Sequence, residues 1–306
     1  MWHEFNDQFD KMDITGTTGL LALLGSPVAH SRSPQMYNLC FAARRQDLVY
    51  VAFDVNKEQM PGALDAFRLF GMRGGNVTMP GKSVAAGLMD HLSEAARLCG
   101  AVNTIVNVDG ALWGHNTDGV GFVQNLKDHG EAIERRKLTL VGAGGAATAI
   151  LVQCALDGAA ELSVFSRRGD NYSRVAQIIQ NLNTHVDGCK IRQFDLSDPA
   201  LLHREIADSD FLVNATSLGM SPRPDTSILN DTDCLHKELV VCDIVYNPTV
   251  TKLMEDAAAR GVRAVIGGAG MLLFQGAEAY RLFTGTAMPI DLVKRTVYKD
   301  LYPGAD

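Results

Sequence analysis

The sequence predicts an α/β protein with two domains, each built around a mostly parallel sheet. Its 306 residues are long enough for two domains of ordinary size. Short apolar runs, which predict buried strands, alternate with stretches of helical spacing, and this alternation occurs in two successive series. A glycine-rich turn follows the first strand of the second series. We therefore expect an N-terminal α/β domain, a second domain of βαβ units, and C-terminal helices that return to the first domain.

The strands and helices of the first domain follow from local signals. Leu20 begins an apolar run that ends in Gly25-Ser26-Pro27, so we predict a buried strand that leads into a loop. Ser33-Pro34 then opens a helix, since proline suits the first helical turn and Ser33 is suited to cap it. Asp109-Gly110 is a hairpin signal after the last strand. The predicted strands are 20–25, 49–55, 74–78 and 101–108, and the predicted helices are 33–45, 60–70 and 83–92.

The second series of elements predicts the second domain. Asp118 begins a helix, and strand 137–141 leads directly into the glycine turn. The C-terminal helices contain no further strand, so we expect them to pack on the first domain. We assign residues 1–117 and 268–306 to the first domain and residues 118–267 to the second. The predicted helices are 118–129, 147–157, 270–283 and 289–298, and the predicted strands are 137–141, 162–166, 211–215 and 240–245.

Composition and charge exclude several classes of partner. Hydrophobic residues make up 46% of the chain and charged residues 21%, as in globular proteins with sizeable cores. The net charge is −7 and no stripe of Lys and Arg is present, so we expect no nucleic-acid binding. No apolar segment approaches the roughly 20 residues that span a bilayer, so we expect no membrane insertion.

Cysteine spacing and the N-terminal segment indicate the compartment. The six cysteines are scattered and no two form a C-x-x-C pair, so the sequence predicts neither a metal site nor a disulfide framework. The first eighteen residues are polar and acidic and lack the apolar core of a secretory signal, and we expect them to form a loosely ordered arm. Reduced buried thiols and no secretory signal predict a cytoplasmic protein.

The glycine turn predicts a dinucleotide-binding site. Residues 142–147, Gly-Ala-Gly-Gly-Ala-Ala, fit the pattern G-x-G-x-x-A directly after a strand and before a helix. The first glycine permits a tight turn, the second lets the backbone approach a pyrophosphate, and the small third residue allows close packing of helix and strand. The helix N-terminus attracts the phosphates. This setting predicts a Rossmann-like domain, and the alternative is a tight turn without a ligand.

The choice of cofactor is signalled about 20 residues later, at the end of the second strand, where an acidic residue binds the ribose hydroxyls of NAD. This chain has Ser166-Arg167-Arg168-Gly169-Asp170 at that place. The two arginines could clamp the 2′-phosphate of NADP. Asp170 could instead reach a ribose and would repel that phosphate, and the arginines are also compatible with a solvated loop. The sequence therefore predicts NAD or NADP without deciding between them.

A lysine and an aspartate in turn-forming polar segments predict proton transfer. Lys82 follows the Pro80-Gly81 turn at the end of a strand, and Asp118 follows Asn116-Thr117. A partly buried lysine can exchange a proton with a carbinol oxygen, and a nearby aspartate can hold that lysine in place. Taken singly, Lys82 is compatible with a surface lysine and Asp118 with a helix cap.

Hydroxyl and amide side chains predict where a polar substrate would bind. Ser31 and Ser33 lie between the first strand and the first helix, where two hydroxyls beside a helix N-terminus could bind a carboxylate. Simple helix capping is the alternative. Asn76, Asn103 and Thr104 add amide and hydroxyl groups that could bind a polyhydroxylated ring.

Together these segments resemble the shikimate dehydrogenase family over nearly the whole chain, from about residue 19 to residue 298. Several motifs occur in the family's order, which makes the resemblance far more specific than any single motif. They are S-R-S-P (31–34), N-V-T-M-P-G-K (76–82), G-A-V-N-T (100–104), N-T-D-G (116–119), G-A-G-G-A (142–146), N-A-T-S-L-G-M (214–220), V-Y-N-P (245–248) and G-M-L-L-F-Q-G-A (270–277).

The resemblance implies a reaction and a set of site residues. The family reversibly reduces 3-dehydroshikimate to shikimate with a nicotinamide cofactor. By resemblance, the catalytic residues are Lys82 and Asp118. The implied substrate contacts are Ser31, Ser33, Thr78, Asn103, Tyr246 and Gln275. The implied cofactor contacts are Gly142, Ala143, Gly144, Gly145, Ala146, Ser166, Arg167, Arg168, Asp170, Ser217, Gly268 and Met271.

Two segments are more similar to the quinate/shikimate dehydrogenase branch of the family, whose members use NAD as well as NADP and also accept quinate. They are Met72-Arg73-Gly74 and the Ser-Arg-Arg segment that precedes Asp170-Asn171-Tyr172. The branch often has an acid directly after the two basic residues, where this chain has Gly169. This departure weakens the inference that this chain shares the branch's use of NAD. It does not affect the assignment of the catalytic pair.

The resemblance leaves two alternatives for the function. One is a dehydrogenase for an aminoshikimate-type analogue, because neutral Ser, Thr and Asn contacts do not separate shikimate, quinate and an amino analogue. The other is a metabolite sensor that keeps the fold without the chemistry; such a protein should lack the lysine–aspartate pair or the glycine turn, and both are intact here. We expect a small-molecule substrate, and a monomer or a homodimer.

Overall fold

The computed structural model describes residues 14–304, which form two compact units. The first unit runs to Thr117 and resumes at Gly276, and the second comprises Asp118–Gln275. The sequence-based division placed the second boundary at residue 268. The change of unit occurs inside a long helix, where no loop composition marks it. Residues 1–13 of the predicted N-terminal arm lie outside the described residues.

The first unit alternates strands and helices before it ends in a β-hairpin. Its elements in chain order are β1 (Gly19–Gly25), α1 (Ser33–Ala43), β2 (Leu48–Asp54), α2 (Met60–Leu69), β3 (Gly74–Val77), α3 (Lys82–Ala86), β4 (His91–Leu92), α4 (Glu94–Cys99), β5 (Thr104–Val108) and β6 (Ala111–His115).

The sheet of the first unit has the strand order β2-β1-β3-β5-β6-β4. β1 pairs in parallel with β2 and β3, whereas β5 runs antiparallel to β3 and β6. β5 and β6 form the hairpin predicted from Asp109-Gly110, and both turn residues have positive φ, 52° and 91°. The parallel pairing sets Leu24 opposite Val77, so the carboxyl ends of β1 and β3 lie side by side.

In the first unit, one predicted helix is shorter than expected and one helix was missed. The helix predicted over 83–92 ends at Ala86, because Asp90 accepts the N–H of Leu112 at 2.7 Å and draws the chain into the sheet as β4. The helix α4 was not predicted. It begins at the N-cap Ser93, and its six residues are too few to show a periodic apolar pattern.

The second unit contains a second, longer series of alternating elements. They are α5 (Asp118–Asp128), β7 (Lys137–Val141), α6 (Gly145–Leu156), β8 (Glu161–Ser166), α7 (Asp170–His185), β9 (Lys190–Asp195), α8 (Pro199–Ala207), β10 (Phe211–Asn214), β11 (Val240–Asp243), α9 (Lys252–Arg260), β12 (Ala264–Ile266) and α10 (Ala269–Thr284). α10 continues into the first unit, to which α11 (Ile290–Thr296) also belongs.

The sheet of the second unit is parallel throughout, with the order β12-β11-β10-β7-β8-β9. The chain starts in the centre with β7, moves outward through β8 to β9, and returns to the other side with β10. This is the 3-2-1-4-5-6 order of doubly wound dinucleotide-binding sheets, so the predicted α/β, Rossmann-like fold class is confirmed. The strand order reverses between β7 and β10, where such sheets bind ligands at the strands' carboxyl ends.

Five elements of the second unit had no predicted bounds, namely α7, β9, α8, α9 and β12. β12 has three residues and β9 alternates charged with apolar residues, so neither shows the apolar run of a buried strand. α8 and α9 do carry cap signals, because Asp198 and Thr251 accept hydrogen bonds at their N-termini. Such local signals identify a helix start and do not reveal its length.

From Gly276 onward the C-terminal helices belong to the first unit. Tyr37 of α1 contacts Phe283 of α10 edge to face with ring centroids 5.8 Å apart, and Phe41 stacks against Tyr280 at 5.7 Å. A Cβ at Gly276 would lie 2.6 Å from the Met36 methyl carbon, so the helices touch there. Aromatic burial therefore holds the end of α10 on α1.

Within residues 14–304, no helix has the length and apolar character of a membrane span. In the same range, no group of three or more His, Cys, Asp or Glu residues could hold a metal ion. The six cysteines are free thiols, and burial raises the pKa of Cys40 to about 12. Such buried thiols are chemically inert.

A partly buried charge network stabilises the second unit. The Lys137 Nζ lies 2.9 Å from Glu205 Oε2 and 2.8 Å from Asp208 Oδ2, and Arg192 contacts both Glu205 and Glu161. Burial raises the pKa of both glutamates. Hydrogen bonds lower both pKa values by more than burial raises them. Arg192 donates to Glu161, and Ser163 and Lys137 donate to Glu205. The pKa of each glutamate therefore lies below its usual value.

Glu205→Gln should destabilise the protein at pH 7 by about 1–3 kcal/mol, because the charge-assisted bonds of a carboxylate that is only 10% exposed are lost. A lowered pKa stabilises the fold above the unfolded value near 4.5, and this stability is lost as pH falls through the folded pKa. The wild type should therefore lose more stability than the variant below pH 4.5 in urea unfolding.

The control variant is Asp256→Asn, which breaks a helix-surface pair with Lys252 and should cost about 0.3–0.5 kcal/mol. Equal losses in the two variants at pH 7 would contradict the prediction.

Candidate functional site

The loop after β3 is fixed against the end of β1. Thr78 donates its N–H to the carbonyl oxygen of Leu24 at 2.8 Å, and Ser26 donates its N–H to that of Met79 at 2.9 Å. A Cβ at Gly25 would collide with the Thr78 methyl group and lie 2.8 Å from the Met79 oxygen. The two loops therefore pack too closely for any side chain at position 25, and this packing sets where the chain enters α3.

Lys82 is the first residue of α3 and is partly buried. Gly81 before it is buried, and a Cβ there would collide with the methyl carbon of Met60 on α2. The carbonyl oxygen of Lys82 accepts the N–H of Val102 at 2.9 Å, which ties the start of α3 to the segment before β5. A lysine on a backbone held from two sides can present its amine at a defined position.

A buried polar network fixes the backbone that precedes Asp118. The N–H of Thr117 donates to Asn103 Oδ1 at 2.8 Å, and Asn103 Nδ2 donates to Thr117 Oγ1 at 3.0 Å. Asn76 donates to the carbonyl oxygen of Asn103 at 3.1 Å and accepts the Tyr50 hydroxyl at 2.8 Å. The first residue of α5, Asp118, follows Thr117 directly, so the network sets where its side chain starts. Asn103 is 3% exposed and has a structural role here, while its contact with substrate stays a prediction.

Of the predicted serine pair, Ser31 lies in the loop between β1 and α1 and Ser33 is the first residue of α1, but Ser33 does not cap the helix. α1 begins at Ser33, its N-cap is Arg32, and no side chain caps it. The predicted cap was wrong because Ser33 lies one residue inside the first turn, past the position from which a side chain reaches the free N–H groups. Ser31 Oγ accepts the Ser33 N–H at 3.2 Å, and Arg32 pairs with Asp300 at 2.5 and 2.7 Å. This ion pair anchors the loop that carries both serines.

The glycine turn lies at the switch point of the second sheet. Gly142 follows β7 with a φ of 140°, and a Cβ there would lie 2.5 Å from the carbonyl oxygen of Ala215, so glycine is required. α6 begins at Gly145 with Gly144 as N-cap, two residues earlier than predicted, because these glycines carry no apolar pattern. Apart from the adjoining residues and the backbone of α6, a Cβ on Gly144 or Gly145 would meet no atom of residues 14–304 within 4 Å. The N–H groups at the start of α6 are thus accessible to a phosphate.

Ser166 ends β8, the second strand of this sheet. It is 4% exposed, and among the described residues its hydroxyl has no hydrogen-bond partner. Buried hydroxyls without a protein partner are rare. A ribose hydroxyl would satisfy this one, because dinucleotide folds bind the adenosine ribose at the end of the second strand. The residues around the glycine turn therefore fit a dinucleotide.

The arginines after Ser166 differ in their surroundings. The Arg168 Nε donates to Asp195 Oδ2 at 2.7 Å, and its guanidinium lies 5.2 Å from the centroid of the Tyr172 ring. Arg167 is exposed, and Asp170 is the first residue of α7. Both arginines are exposed, and Arg168 is held by its neighbours.

A third arginine, which the sequence analysis missed, reaches the glycine turn. Arg174 on α7 donates from Nη2 to the carbonyl oxygen of Ala143 at 2.9 Å. One feature of the sequence could have pointed to Arg174. It lies four residues after Asp170, and this spacing places both side chains on one face of α7. Arg174 adds a positive charge beside the turn where a pyrophosphate would lie.

The predicted residues Ser217 and Tyr246 lie in the loops after β10 and β11. Both side chains are exposed, that of Tyr246 by 44%. The N–H of Ser221 donates to the carbonyl oxygen of Asn247 at 3.0 Å, which joins the two loops. Behind them lies Asp243, a buried acid that the sequence analysis also missed.

The remaining predicted residues lie at the start of α10. A Cβ at Gly268 would collide with the carbonyl oxygen of Ile244, Met271 is 8% exposed, and Gln275 Nε2 donates to the carbonyl oxygen of Leu272 at 3.0 Å. Each unit thus holds part of the predicted site. Those in the first unit are Ser31, Ser33, Thr78, Lys82 and Asn103, and all the others belong to the second.

Two family descriptions match this chain. The shikimate dehydrogenase substrate binding domain matches residues 23–105, and the shikimate 5′-dehydrogenase C-terminal domain matches residues 268–298. The shikimate dehydrogenase (NADP(+)) of Listeria monocytogenes serotype 4b (strain F2365) is 44% identical over 285 residues, which are 93% of this chain and 97% of that protein.

Solved structures are similar over nearly the same length. The shikimate 5-dehydrogenase from Listeria monocytogenes, in complex with shikimate and NAD, has a TM-score of 0.89 at 44% identity and covers 92% of this chain and 97% of its own. The quinate dehydrogenase from Corynebacterium glutamicum, in complex with NAD, has a TM-score of 0.82 at 30% identity and covers 93% of this chain and 99% of its own.

Proposed function

Because the chain belongs to the shikimate dehydrogenase family, and is an NAD(P)-dependent oxidoreductase that interconverts shikimate and 3-dehydroshikimate, we propose that Lys82 and Asp118 carry out its proton transfer. The observation that supports this most directly is that neighbouring segments fix the backbone at Lys82 and directly before Asp118. Lys82 starts α3 on a turn held by α2 and Val102, and Asp118 follows the buried Thr117. We also propose that the first unit binds the substrate and the second unit binds the cofactor.

In the oxidation of shikimate, the Lys82 amine takes the proton of the ring hydroxyl while the carbonyl group forms. The nicotinamide, when bound, accepts the hydride from the carbinol carbon at its C4. In the reduction, Lys82 returns the proton to the carbonyl oxygen. Asp118 orients the lysine and the hydroxyl. Ser31 and Ser33 bind the ring carboxylate, and Thr78, Asn103, Tyr246 and Gln275 supply the remaining substrate contacts.

The cofactor is NAD or NADP. The turn Gly142–Ala146 and the start of α6 hold the pyrophosphate, and Ser166 bonds the adenosine ribose. Arg167 and Arg168 approach a 2′-phosphate, while Asp170 favours a free ribose. Ser217, Gly268 and Met271 lie on the segments that we assign to the nicotinamide.

Quinate is the second candidate substrate. The observation that favours it is the similarity to the quinate dehydrogenase, whose fold covers almost all of this chain. We place the enzyme in the cytoplasm, which the six free thiols support. A monomer or a homodimer stays a prediction.

Steady-state kcat/KM for shikimate and for quinate, each with NAD⁺ and NADP⁺, tests this function. We expect turnover of shikimate with both cofactors, because the region after Ser166 offers arginines for a 2′-phosphate and Asp170 for a ribose. Lys82→Ala measures the background. Absence of turnover in all four pairs of substrate and cofactor would contradict the proposal. Turnover of quinate alone would make quinate, and not shikimate, the first candidate substrate.

A further inference from the structure

Asp243, the last residue of β11, is a buried acid that the proposed reaction does not use. It is 1% exposed and accepts hydrogen bonds from Asn214 Nδ2 at 3.0 Å, the Val245 N–H at 3.0 Å and Thr251 Oγ1 at 2.7 Å. All three partners are neutral. Burial raises the pKa of Asp243, and these hydrogen bonds act in the opposite direction. A buried acid held by three neutral donors is costly to maintain, which indicates a specific task.

The three donors come from three different segments. Asn214 ends the neighbouring strand β10, where it lies opposite Asp243 in the parallel register. Val245 opens the loop that carries Tyr246. Thr251 is the N-cap of α9, and its hydroxyl also accepts the N–H of Met254 at 3.4 Å. One carboxyl group therefore joins a strand end, a loop and a helix start.

Asn214 extends this connection to the loop that carries Ser217. Its Nδ2 also donates to the carbonyl oxygen of Leu218 at 3.2 Å. Its Oδ1 accepts the N–H of Thr216 at 3.1 Å and the Thr216 hydroxyl at 2.7 Å. Thr216 Oγ1 in turn accepts the N–H of Leu218 at 3.1 Å. Asp243 thus fixes the orientation of the Asn214 side-chain amide. The nitrogen and the oxygen of this amide both bond the loop that carries Ser217.

We propose that Asp243 is a positioning residue for the oxidoreductase reaction, because it holds the loops of Ser217 and Tyr246 in the conformation that aligns nicotinamide and substrate. The inference rests on the proposed role of these loops. Asp243 acts through Asn214 and Val245, whose hydrogen bonds set the course of both loops.

Alanine cannot replace the acid. At position 243 it would leave Asn214 Nδ2, the Val245 N–H and the Thr251 hydroxyl without their common acceptor. The Asn214 amide would have to turn over or withdraw to find another acceptor. Either change breaks its hydrogen bonds with Thr216 and Leu218, so the effect would reach the Ser217 loop.

Asp243→Ala tests the proposal, because alanine removes both acceptor oxygens. Because a misplacement of about 1 Å can cost roughly 10²-fold in rate, we expect kcat for shikimate to fall by roughly 10- to 100-fold. The primary deuterium isotope effect on kcat should rise, since hydride transfer becomes the slowest step. The affinity for ADP, which probes the glycine turn and Ser166, should stay within about twofold. A merely structural role would lower ADP affinity together with kcat and leave the isotope effect unchanged.

Two control variants sharpen the result. Asp210→Asn replaces another acid of the same unit, one that pairs with Arg136 at 2.7 Å, and should reduce stability without raising the isotope effect. Thr251→Ser keeps the donor hydroxyl and should behave as wild type. An Asp243→Ala variant with kcat within about twofold of wild type would overturn the proposal.

Hydrogen exchange separates this inference from the proposed function. If the wild type turned over no shikimate, the proposed function would fail. Faster amide exchange over residues 214–219 and 244–251 in Asp243→Ala would still show that Asp243 holds these loops. Unchanged exchange in both segments would overturn the inference by itself.

Discussion

Lys82→Ala should lower kcat for shikimate oxidation by about 10² to 10⁴, because positioned acid–base groups contribute that much to proton transfer. The substitution removes the amine that takes the hydroxyl proton and keeps the α3 backbone, whose start is held by the bond from Val102 to the carbonyl oxygen of residue 82. We therefore expect unchanged thermal stability and unchanged ADP affinity. Steady-state kinetics with shikimate and NADP⁺, together with a thermal melt, measure the effect.

The matched control is Lys57→Ala. Lys57 is an exposed lysine of the same unit, shortly before α2, and its loss should leave kcat within about twofold. Small primary amines added to the Lys82→Ala enzyme should restore part of the lost rate. A decrease of less than about tenfold in the Lys82 variant would exclude the assigned role.

Gly142→Ala should both destabilise the protein and weaken cofactor binding. The backbone at Gly142 has a φ of 140°, and a Cβ there would lie 2.5 Å from the carbonyl oxygen of Ala215 on the neighbouring strand end. Forcing a side chain into such a conformation costs of order 1–3 kcal/mol, and the collision adds to it. The turn must shift to relieve the contact, so the KM for NADP⁺ should rise at least about tenfold. Urea unfolding and cofactor titration measure the two effects.

Gly145→Ala separates the fold from the cofactor site at the same turn. Apart from the adjoining residues and the helix backbone, a Cβ there would meet none of the described atoms within 4 Å, and position 145 is the first residue of α6, where alanine is as suitable as glycine. We expect equal or higher stability with weaker cofactor binding, since the new methyl group would lie where the pyrophosphate approaches. Unchanged cofactor affinity in this variant would show that the pyrophosphate does not lie against this turn.

The fold class could be predicted because its signals are local. The apolar run from Leu20, the Asp109-Gly110 hairpin and the alternating strands around 137–166 needed only neighbouring residues. Elements with short or mixed patterns could not be bounded in this way. β4 forms because Asp90 bonds Leu112 on β6, a contact between residues 22 positions apart.

The candidate site could be predicted in its residue types and in part of its placement. Gly142 was predicted as the residue of a tight turn, and the structure places it against Ala215 with a positive φ. The predicted Ser33 cap was wrong by one residue, since a cap depends on where the first helical turn starts. Arg174 and Asp243 were missed because their sequence neighbours give no sign of the carbonyl and amide groups that they contact.

The sequence by itself determined the two α/β series, the glycine turn, the order of the family motifs and therefore the reaction class. These depend on residue periodicity, on glycine's freedom at positive φ and on the chemistry of single side chains, which are properties of short segments. Only the tertiary structure decided that the units change inside α10, that the buried Ser166 hydroxyl has no partner among residues 14–304, and that Asp243 joins three segments. Burial and hydrogen-bond partners are set by residues that folding brings together from distant positions in the chain, so no local pattern contains them.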